Sequence, residues 1–121
     1  MSPTILIIED DPDIREGLQE LLEIEGYAVQ VARNGQEALD QMKQNHAFPK
    51  LIFLDLMMPV MDGRLFLNTL RAQTPEVFAQ TPIYMLTAAS DSVTVDIKTT
   101  GIIKKPIEIN SLLALAQKHC A

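Results

Sequence analysis

The sequence predicts an α/β fold with one doubly wound, five-stranded parallel sheet and helices on both faces. Apolar runs of strand length alternate with helical patterns along the chain, and most of the loops between them are short. Strands that alternate with helices form parallel sheets through right-handed crossovers, which cover both faces of the sheet. Because 121 residues have the size of one domain, we expect residues 1–121 to form a single domain.

The first strand leads into a group of acids. Residues Thr4–Ile8 are a short, mostly β-branched run, typical of a strand that is buried on both faces, and Glu9-Asp10-Asp11 follows directly. Asp11 and Pro12 fit the N-cap and the first position of a helix, which Gly26 ends. The apolar stripe of this helix consists of Ile14, Leu18, Leu21 and Leu22.

The second strand and the second helix follow a similar pattern. Residues Tyr27–Ala32 alternate weakly around Gln30, which suits a strand near the sheet edge. The pair Asn34-Gly35 predicts a turn into a helix from about Gln36 to Asn45. The side chains expected to face inward from this helix are Ala38, Leu39 and Met42.

The third strand ends at a single carboxylate. The unbroken apolar run Leu51–Leu54 predicts a fully buried strand, Asp55 closes it, and turn residues follow at Pro59 and Asp62-Gly63. In open α/β sheets, ligands bind outside the carboxyl ends of the strands, so Asp55 is a candidate for chemistry. A simpler explanation is that Asp55 caps the loop or the next helix.

The remaining elements complete the pattern of alternating strands and helices. A third helix follows Gly63, and a loop through Thr74-Pro75 and Thr81-Pro82 is predicted after it. The later elements are a strand Ile83–Leu86 closed by Thr87, a strand Gly101–Lys104 ended by Lys105-Pro106, and a helix from Ile109 to about His119.

The crossover between the fourth and fifth strands is the least regular stretch. About thirteen residues separate Thr87 from Gly101, while a crossover needs roughly ten to twelve residues at least. Residues Ser90–Thr100 are also rich in stiff β-branched side chains, which disfavour a helix. The sequence therefore predicts a short or irregular helix here, with above-average mobility.

The predicted strand order brings the polar strand ends together. Five strands in this pattern allow the order 2-1-3-4-5 of flavodoxin-like folds, which makes the first and third strands neighbours. Glu9 and Asp10 then lie beside Asp55, and three carboxylates so close need a cation, for which an all-oxygen site suits Mg²⁺. The Thr87 hydroxyl and the Lys105 ammonium face the same pocket. A carboxylate acceptor, a metal ion, a hydroxyl group and an ammonium group are the groups that a phosphoryl-transfer site uses.

Each of these residues also has a simpler explanation. Glu9 and Asp10 suit the start of a helix, where acids interact favourably with the dipole. Thr87 fits an ordinary strand end, and Lys105 fits a solvated surface lysine. The combination at four strand ends favours phosphoryl transfer over these separate explanations.

These residues resemble the receiver domain of bacterial two-component response regulators, of the chemotaxis-regulator type. The similarity covers nearly the whole chain. The motifs that carry it are Ile7–Asp11, Asp55–Gly63, Leu86–Ala88 and Lys105-Pro106.

The resemblance implies a phosphoacceptor site. Asp55 would accept the phosphoryl group, and Mg²⁺ would be bound by Asp10, Asp55 and the Met57 backbone carbonyl, with Glu9 acting through water. Two further roles follow from the resemblance: Thr87 would bind a phosphoryl oxygen, and Lys105 would pair with the phosphoryl group.

The resemblance also implies partners and a regulatory mode. A histidine kinase or phosphotransfer protein would donate the phosphoryl group, and phosphorylation would change the affinity for an output protein or domain or support a homodimer. The domain would assist its own phosphorylation and dephosphorylation without being an enzyme in the usual sense. A cis peptide at Lys105-Pro106, which would aim the ammonium at Asp55, is expected mainly on this basis.

Two features depart from the family pattern. Ile102 stands where the family usually has an aromatic residue, and the segment between Thr87 and Lys105 is short. A switch that rotates an aromatic ring at residue 102 should therefore be lost or reduced. We expect phosphorylation to act on the loop after Thr87 and the short crossover directly, as an order-disorder change.

Composition narrows the function further. The net charge of -6 argues against direct binding to nucleic acid, which needs clustered Lys and Arg. The sequence shows no long apolar span or leader, and its lone Cys120 excludes an intramolecular disulfide, so a cytoplasmic protein without membrane contact is expected.

His46 and His119 are expected at the surface. The three methionines expected to pack in the loop are Met57, Met58 and Met61.

Two other functions compete with the signalling domain. An Asp-nucleophile phosphohydrolase of the haloacid dehalogenase type needs a second acid two residues after the nucleophile, and Met57 occupies that position. A pseudo-receiver would bind partners without phosphorylation, and the complete set of acids, hydroxyl and lysine argues against it.

Overall fold

The computed structural model describes residues 4–45, 48–58, 60–88 and 100–120, which contain five strands and five helices. The first half of the chain consists of β1 (Thr4–Ile8), α1 (Pro12–Ile24), β2 (Ala28–Ala32), α2 (Gly35–Asn45) and β3 (Leu51–Asp55). The second half consists of α3 (Gly63–Gln73), α4 (Pro75–Gln80), β4 (Ile83–Thr87), β5 (Gly101–Lys104) and α5 (Ile109–Cys120).

All five strands form one parallel sheet in the order β2-β1-β3-β4-β5. The predicted flavodoxin-like order is therefore confirmed. Ile8 of β1 pairs with Leu54 of β3, so the two strands end side by side. Asp55 is in turn the register partner of Leu86, one residue before the end of β4. The carboxyl ends of β1, β3 and β4 thus lie at one edge of the sheet.

Two apolar clusters cover the two faces of the sheet. On β1, Ile5 and Ile7 face the cluster formed with α1 and α5, whereas Leu6 and Ile8 face the cluster formed with α2 and α3. Every residue of β3 and β4 is buried, as continuous apolar runs predict for strands covered on both faces. Most of β2 is only half-buried, which confirms its position at the sheet edge.

Local sequence signals explain how α1 begins and ends. The Asp11 side chain accepts hydrogen bonds from the backbone amides of Asp13 at 2.9 Å and Ile14 at 3.4 Å, and Pro12 occupies the first turn. Gly26 follows the helix with φ of +94°, a conformation that glycine adopts at low cost. The predicted cap and stop signals are thus confirmed.

The loop predicted between the third helix and the fourth strand is wrong. Residues Pro75–Gln80 form α4, because Pro75 fits the first turn of a helix and Val77 is buried against the α2–α3 face of the sheet. The element boundaries otherwise differ from the predicted ones by about one residue. Met58 and Met61 are buried and pack against the core, in agreement with the packing expected of them, but the expectation for Met57 is wrong, because this residue is 64% exposed.

Some predictions fall outside the described residues. The short or irregular crossover helix lies on residues 89–99, and His46 lies in the gap at 46–47. Both stay predictions. Within the ranges that the structure describes, no helix combines the length and the apolar character that crossing a bilayer requires.

Substitution by alanine at Gly17 and at Gly63 is expected to change the stability of the fold in opposite directions. A Cβ at Gly63 would lie 2.9 Å from the Asp55 carbonyl oxygen and 3.0 Å from Leu56 Cα, whereas one at Gly17 meets no heavy atom within 4 Å among the described residues. We expect Gly63→Ala to lower the free energy of unfolding by about 1–3 kcal/mol, because backbone must shift.

Gly17→Ala serves as the matched control, and it should raise the free energy of unfolding by up to about 1 kcal/mol through helix propensity. Urea denaturation monitored by circular dichroism measures both values. Equal effects of the two substitutions would show that the close approach of Gly63 to β3 is not a constraint.

Candidate functional site

Four strand ends place polar side chains at one edge of the sheet. Glu9 follows β1, Asp55 is the last residue of β3, Thr87 is the last residue of β4, and Lys105 follows β5. Glu9, Asp55 and Thr87 are buried, and the Lys105 side chain is largely covered. The sheet therefore assembles four of the residues that the sequence predicts for one site.

Three carboxylates share this edge. Glu9, Asp10 and Asp55 each offer an oxygen atom, and these three oxygens lie within 4.8 Å of one another. The short distances follow from the pairing of β1 with β3, since Glu9 and Asp10 continue β1 beyond its last paired residue. The prediction that these acids share a pocket is confirmed. Glu9 is completely buried and Asp10 is exposed, so the pocket opens to solvent on the Asp10 side.

The Lys105 ammonium is the cation that faces these acids. Its Nζ atom lies 2.9 Å from Glu9 Oε1 and 3.5 Å from Asp55 Oδ1. The backbone amide of Lys105 donates to the Thr87 carbonyl at 2.7 Å, which extends the pairing of β4 and β5. The Lys105-Pro106 peptide bond is cis, as predicted. Lys105 therefore bridges two of the three carboxylates.

Burial and crowding shift the ionisation of the site. Burial, together with the neighbouring Glu9 carboxylate, raises the pKa of Asp55 to about 6, although Asp10 and Lys105 act in the opposite direction. Burial and Asp55 also raise the pKa of Asp10. Burial lowers the pKa of Lys105, but hydrogen bonds and charge attraction to Glu9 and Asp55 together outweigh this, and the net direction is upward. Asp55 is still mostly ionised at pH 7.

One oxygen of this site is left without a partner. Glu9 Oε1 accepts from Lys105, whereas no described residue donates to the buried Glu9 Oε2. A buried carboxylate oxygen without a partner is unfavourable. Together with the oxygens of Asp10 and Asp55, it forms an all-oxygen donor set of the kind that small divalent cations prefer. These three residues can hold such a cation.

Met57 lies next to the acids through its backbone. Its amide nitrogen is 3.4 Å from Asp55 Oδ1, while its side chain points to solvent. The roles predicted for the Met57 carbonyl and the Thr87 hydroxyl stay predictions.

The sequence reasoning missed Arg15. Its Nη1 atom donates to the backbone carbonyls of Glu9 at 3.1 Å and Asp10 at 3.3 Å. The available signal was an arginine one turn inside the helix that follows the acids, a spacing that lets the side chain reach back to the loop.

His119 keeps part of its surface exposed, in agreement with the predicted surface position, and it also has a partner in the sheet. The His119 ring is partly buried on α5, and its Nε2 atom lies 2.8 Å from the hydroxyl of Tyr84 near the start of β4. This pair therefore lies away from the acids, which follow the opposite ends of the strands.

Comparison with known proteins agrees with this geometry. A family model described as the response regulator receiver domain matches residues 5–117. Among curated relatives, YkoG of Bacillus subtilis, an uncharacterised transcriptional regulatory protein, is 40% identical over 114 residues, which are 91% of this chain and 47% of that protein. The response regulator MprA of Mycobacterium tuberculosis is 36% identical over 119 residues, which are 94% and 49% of the two chains. The chain spans about half the length of these relatives.

Solved structures with the same fold include other receiver domains. A putative response regulator from Chloroflexus aurantiacus superposes with a TM-score of 0.83 at 30% identity, covering 99% of this chain and 98% of that one. The chemotaxis protein CheY4 of Vibrio cholerae gives 0.81 at 30% identity, with 98% and 99% covered. The receiver domain of a histidine kinase from Syntrophus aciditrophicus gives 0.85 at 31% identity, with 98% and 90% covered.

The raised pKa of Asp55 predicts how stability depends on pH without divalent cations. The pKa is about 6 in the folded protein and about 3.9 in an unfolded chain. Protonation of Asp55 thus favours the folded state, and its contribution grows as pH falls through about 6 and is complete below about 4. In EDTA, we expect Asp55→Asn to be more stable than wild type at pH 8.

The stability difference between Asp55→Asn and wild type should shrink as pH falls and nearly vanish at about pH 4. Urea denaturation at a series of pH values measures this difference, and Asp40→Asn, which makes the same substitution at an exposed position, is the matched control. A difference that stays constant with pH would contradict the raised pKa.

Proposed function

The chain belongs to the response regulator receiver domain family, and we propose that Asp55 is its phosphoacceptor in a two-component phosphorelay. The observation that carries this proposal is the position of the Asp55 carboxylate, buried at the end of β3 between Glu9, Asp10 and the Lys105 ammonium. The phosphoryl donor would be a histidine kinase or a phosphotransfer protein.

The chemistry is one phosphoryl transfer. An oxygen of the ionised Asp55 carboxylate attacks the phosphorus of a phosphohistidine, the P–N bond breaks, and the leaving imidazole nitrogen keeps the electron pair and is protonated. The product is an aspartyl phosphate. Lys105, 3.5 Å from Asp55 Oδ1, supplies positive charge for the phosphoryl oxygens, and Thr87 offers its hydroxyl to one of them.

We propose Mg²⁺ as the cofactor of this site. Asp10, Asp55 and the Met57 carbonyl would bind it directly, and Glu9 would act through water. The unpartnered Glu9 Oε2 and the all-oxygen donor set support this choice. When bound, Mg²⁺ supplies positive charge that the carboxylates and an incoming phosphoryl group share.

Phosphorylation of Asp55 would change the affinity of the domain for an output domain or partner protein, and it can support a homodimer. In this proposal residues 1–121 act as a single receiver domain in the cytoplasm. The acidic chain would itself contact neither nucleic acid nor membrane. The domain would assist its own phosphorylation and dephosphorylation.

Neither competing function explains the site as well. A phosphohydrolase of the haloacid dehalogenase type needs an acid where Met57 lies, and the Met57 side chain is exposed and apolar. A pseudo-receiver does not need the ion pairs of Lys105 with both Glu9 and Asp55.

Acetyl phosphate provides a direct test of the acceptor. With Mg²⁺ present, intact-mass spectrometry should show the gain of one phosphoryl group in wild type and in the control Asp40→Asn, but no gain in Asp55→Asn. EDTA should abolish the gain in wild type and in Asp40→Asn. A gain in Asp55→Asn would refute the assignment.

Two other outcomes of the same experiment would favour the alternatives. No gain in any variant would favour the pseudo-receiver. Steady release of phosphate without a phosphorylated species would favour the phosphohydrolase.

The metal assignment predicts a specific loss of affinity. Asp10→Asn should weaken Mg²⁺ binding by at least about tenfold, because a ligating carboxylate becomes a neutral amide. Amide chemical shifts during Mg²⁺ titration measure the affinity. Asp13→Asn, at an exposed acid in the first turn of α1, removes the same charge and is the control. Equal affinities for Asp10→Asn and wild type would refute the assignment.

A further inference from the structure

We propose that Arg15 is a positioning residue, which holds the backbone of Glu9 and Asp10 so that their carboxylates converge with that of Asp55. The inference rests on the proposed function, because the convergence matters for the cation of the phosphoacceptor site. Arg15 itself would touch neither the cation nor the phosphoryl group.

Arg15 donates three hydrogen bonds to the loop between β1 and α1, two from its side chain and one from its backbone amide. Arg15 Nη1 donates to the carbonyls of Glu9 at 3.1 Å and Asp10 at 3.3 Å, and the Arg15 backbone amide donates to the carbonyl of Asp11 at 2.9 Å. All three carbonyls of the loop Glu9–Asp11 thus accept hydrogen bonds from Arg15. Side-chain hydrogen bonds to backbone carbonyls fix the rotation of the peptide units that contain them.

The rest of the loop is anchored at both ends. The Glu9 amide donates to the Ala32 carbonyl at the end of β2 at 3.0 Å, and the Asp11 side chain caps α1. Between these anchors, the Glu9–Asp10 and Asp10–Asp11 peptide units are the ones whose carbonyls Arg15 holds. Their rotation sets the direction of the Asp10 side chain.

Asp10 needs such support more than Glu9 does. Glu9 is fully buried and pairs with Lys105, so its side chain is held in the pocket. Asp10 is exposed, and repulsion from Asp55 favours turning its carboxylate toward water. By fixing the backbone on both sides of Asp10, Arg15 opposes that rotation.

The charge of Arg15 would have the opposite effect on a bound cation. A guanidinium close to the acids repels a cation, so if Arg15 acted only through its charge, its removal would tighten Mg²⁺ binding. If Arg15 acts by positioning, its removal weakens binding. The sign of the change therefore separates the two roles.

The experiment is a Mg²⁺ titration of wild type and variants, followed by amide chemical shifts. Arg15→Ala should weaken the affinity by about tenfold, as is typical when a group that orients metal ligands is lost. Arg15→Lys keeps the charge but lacks the planar fork, so it should show an intermediate loss. Arg71→Ala removes the same charge from an exposed position in the last turn of α3 and should bind as wild type does.

A second readout needs no metal. In EDTA, hydrogen exchange of the Glu9 amide should be faster in Arg15→Ala than in Arg71→Ala, while the thermal midpoint shows that both variants are folded at the titration temperature. If Arg15→Ala is unfolded, Arg15→Lys replaces it in the comparison with wild type and Arg71→Ala.

The outcomes separate this inference from the proposed function. Wild-type Mg²⁺ binding with equal or tighter binding in the Arg15 variants overturns the positioning role alone. Absence of Mg²⁺ binding in wild type overturns the proposed function, and this inference with it.

Discussion

Mutual repulsion of three carboxylates at one edge of a parallel sheet is the constraint on which the arrangement of this chain depends. Glu9, Asp10 and Asp55 bring oxygens within 4.8 Å of one another, and in a poorly solvated pocket such crowding is unfavourable without compensating positive charge. Lys105 supplies part of that charge, at 2.9 Å from Glu9 and 3.5 Å from Asp55. It reaches the acids because β5 lies beside β4 and ends at the same edge. The strand order and the loop anchors thus bring the three carboxylates together, and Lys105 partly offsets their repulsion.

Much of this arrangement can be predicted from the sequence, because the central strands carry strong and local signals. The run Leu51–Leu54 is apolar without interruption, as is typical of a strand covered on both faces, and Asp55 then marks its end. The alternation of strands and helices restricts the sheet to a few orders. Once β1 and β3 are neighbours, the meeting of Glu9 and Asp10 with Asp55 follows from geometry alone.

Other features depend on tertiary contacts that no local pattern encodes. Glu9 and Asp10 are adjacent acids of similar character, yet Glu9 is fully buried beside the Lys105 ammonium and Asp10 is exposed. The Tyr84–His119 hydrogen bond joins residues 35 positions apart. The sequence pattern does not predict helix α4, because Thr74 and Pro75 are typical of loops, although proline also suits the first turn of a helix. The contacts of Arg15 can be seen only once the path of the loop Glu9–Asp11 is known, because they are made to backbone carbonyls.

The repulsion at the sheet edge also links stability to function. A ligand that neutralises the acids binds the folded state, in which the three carboxylates converge, and therefore stabilises that state by mass action. Removing one acid relieves the same repulsion permanently, so substitutions at these positions can stabilise the fold while they weaken the site. Conversely, loss of Lys105 would leave the buried Glu9 carboxylate without its positively charged partner, which is unfavourable. In the proposed function, a bound cation and a phosphoryl group would both act on these three converging carboxylates, and each would in that way influence the loops that carry them.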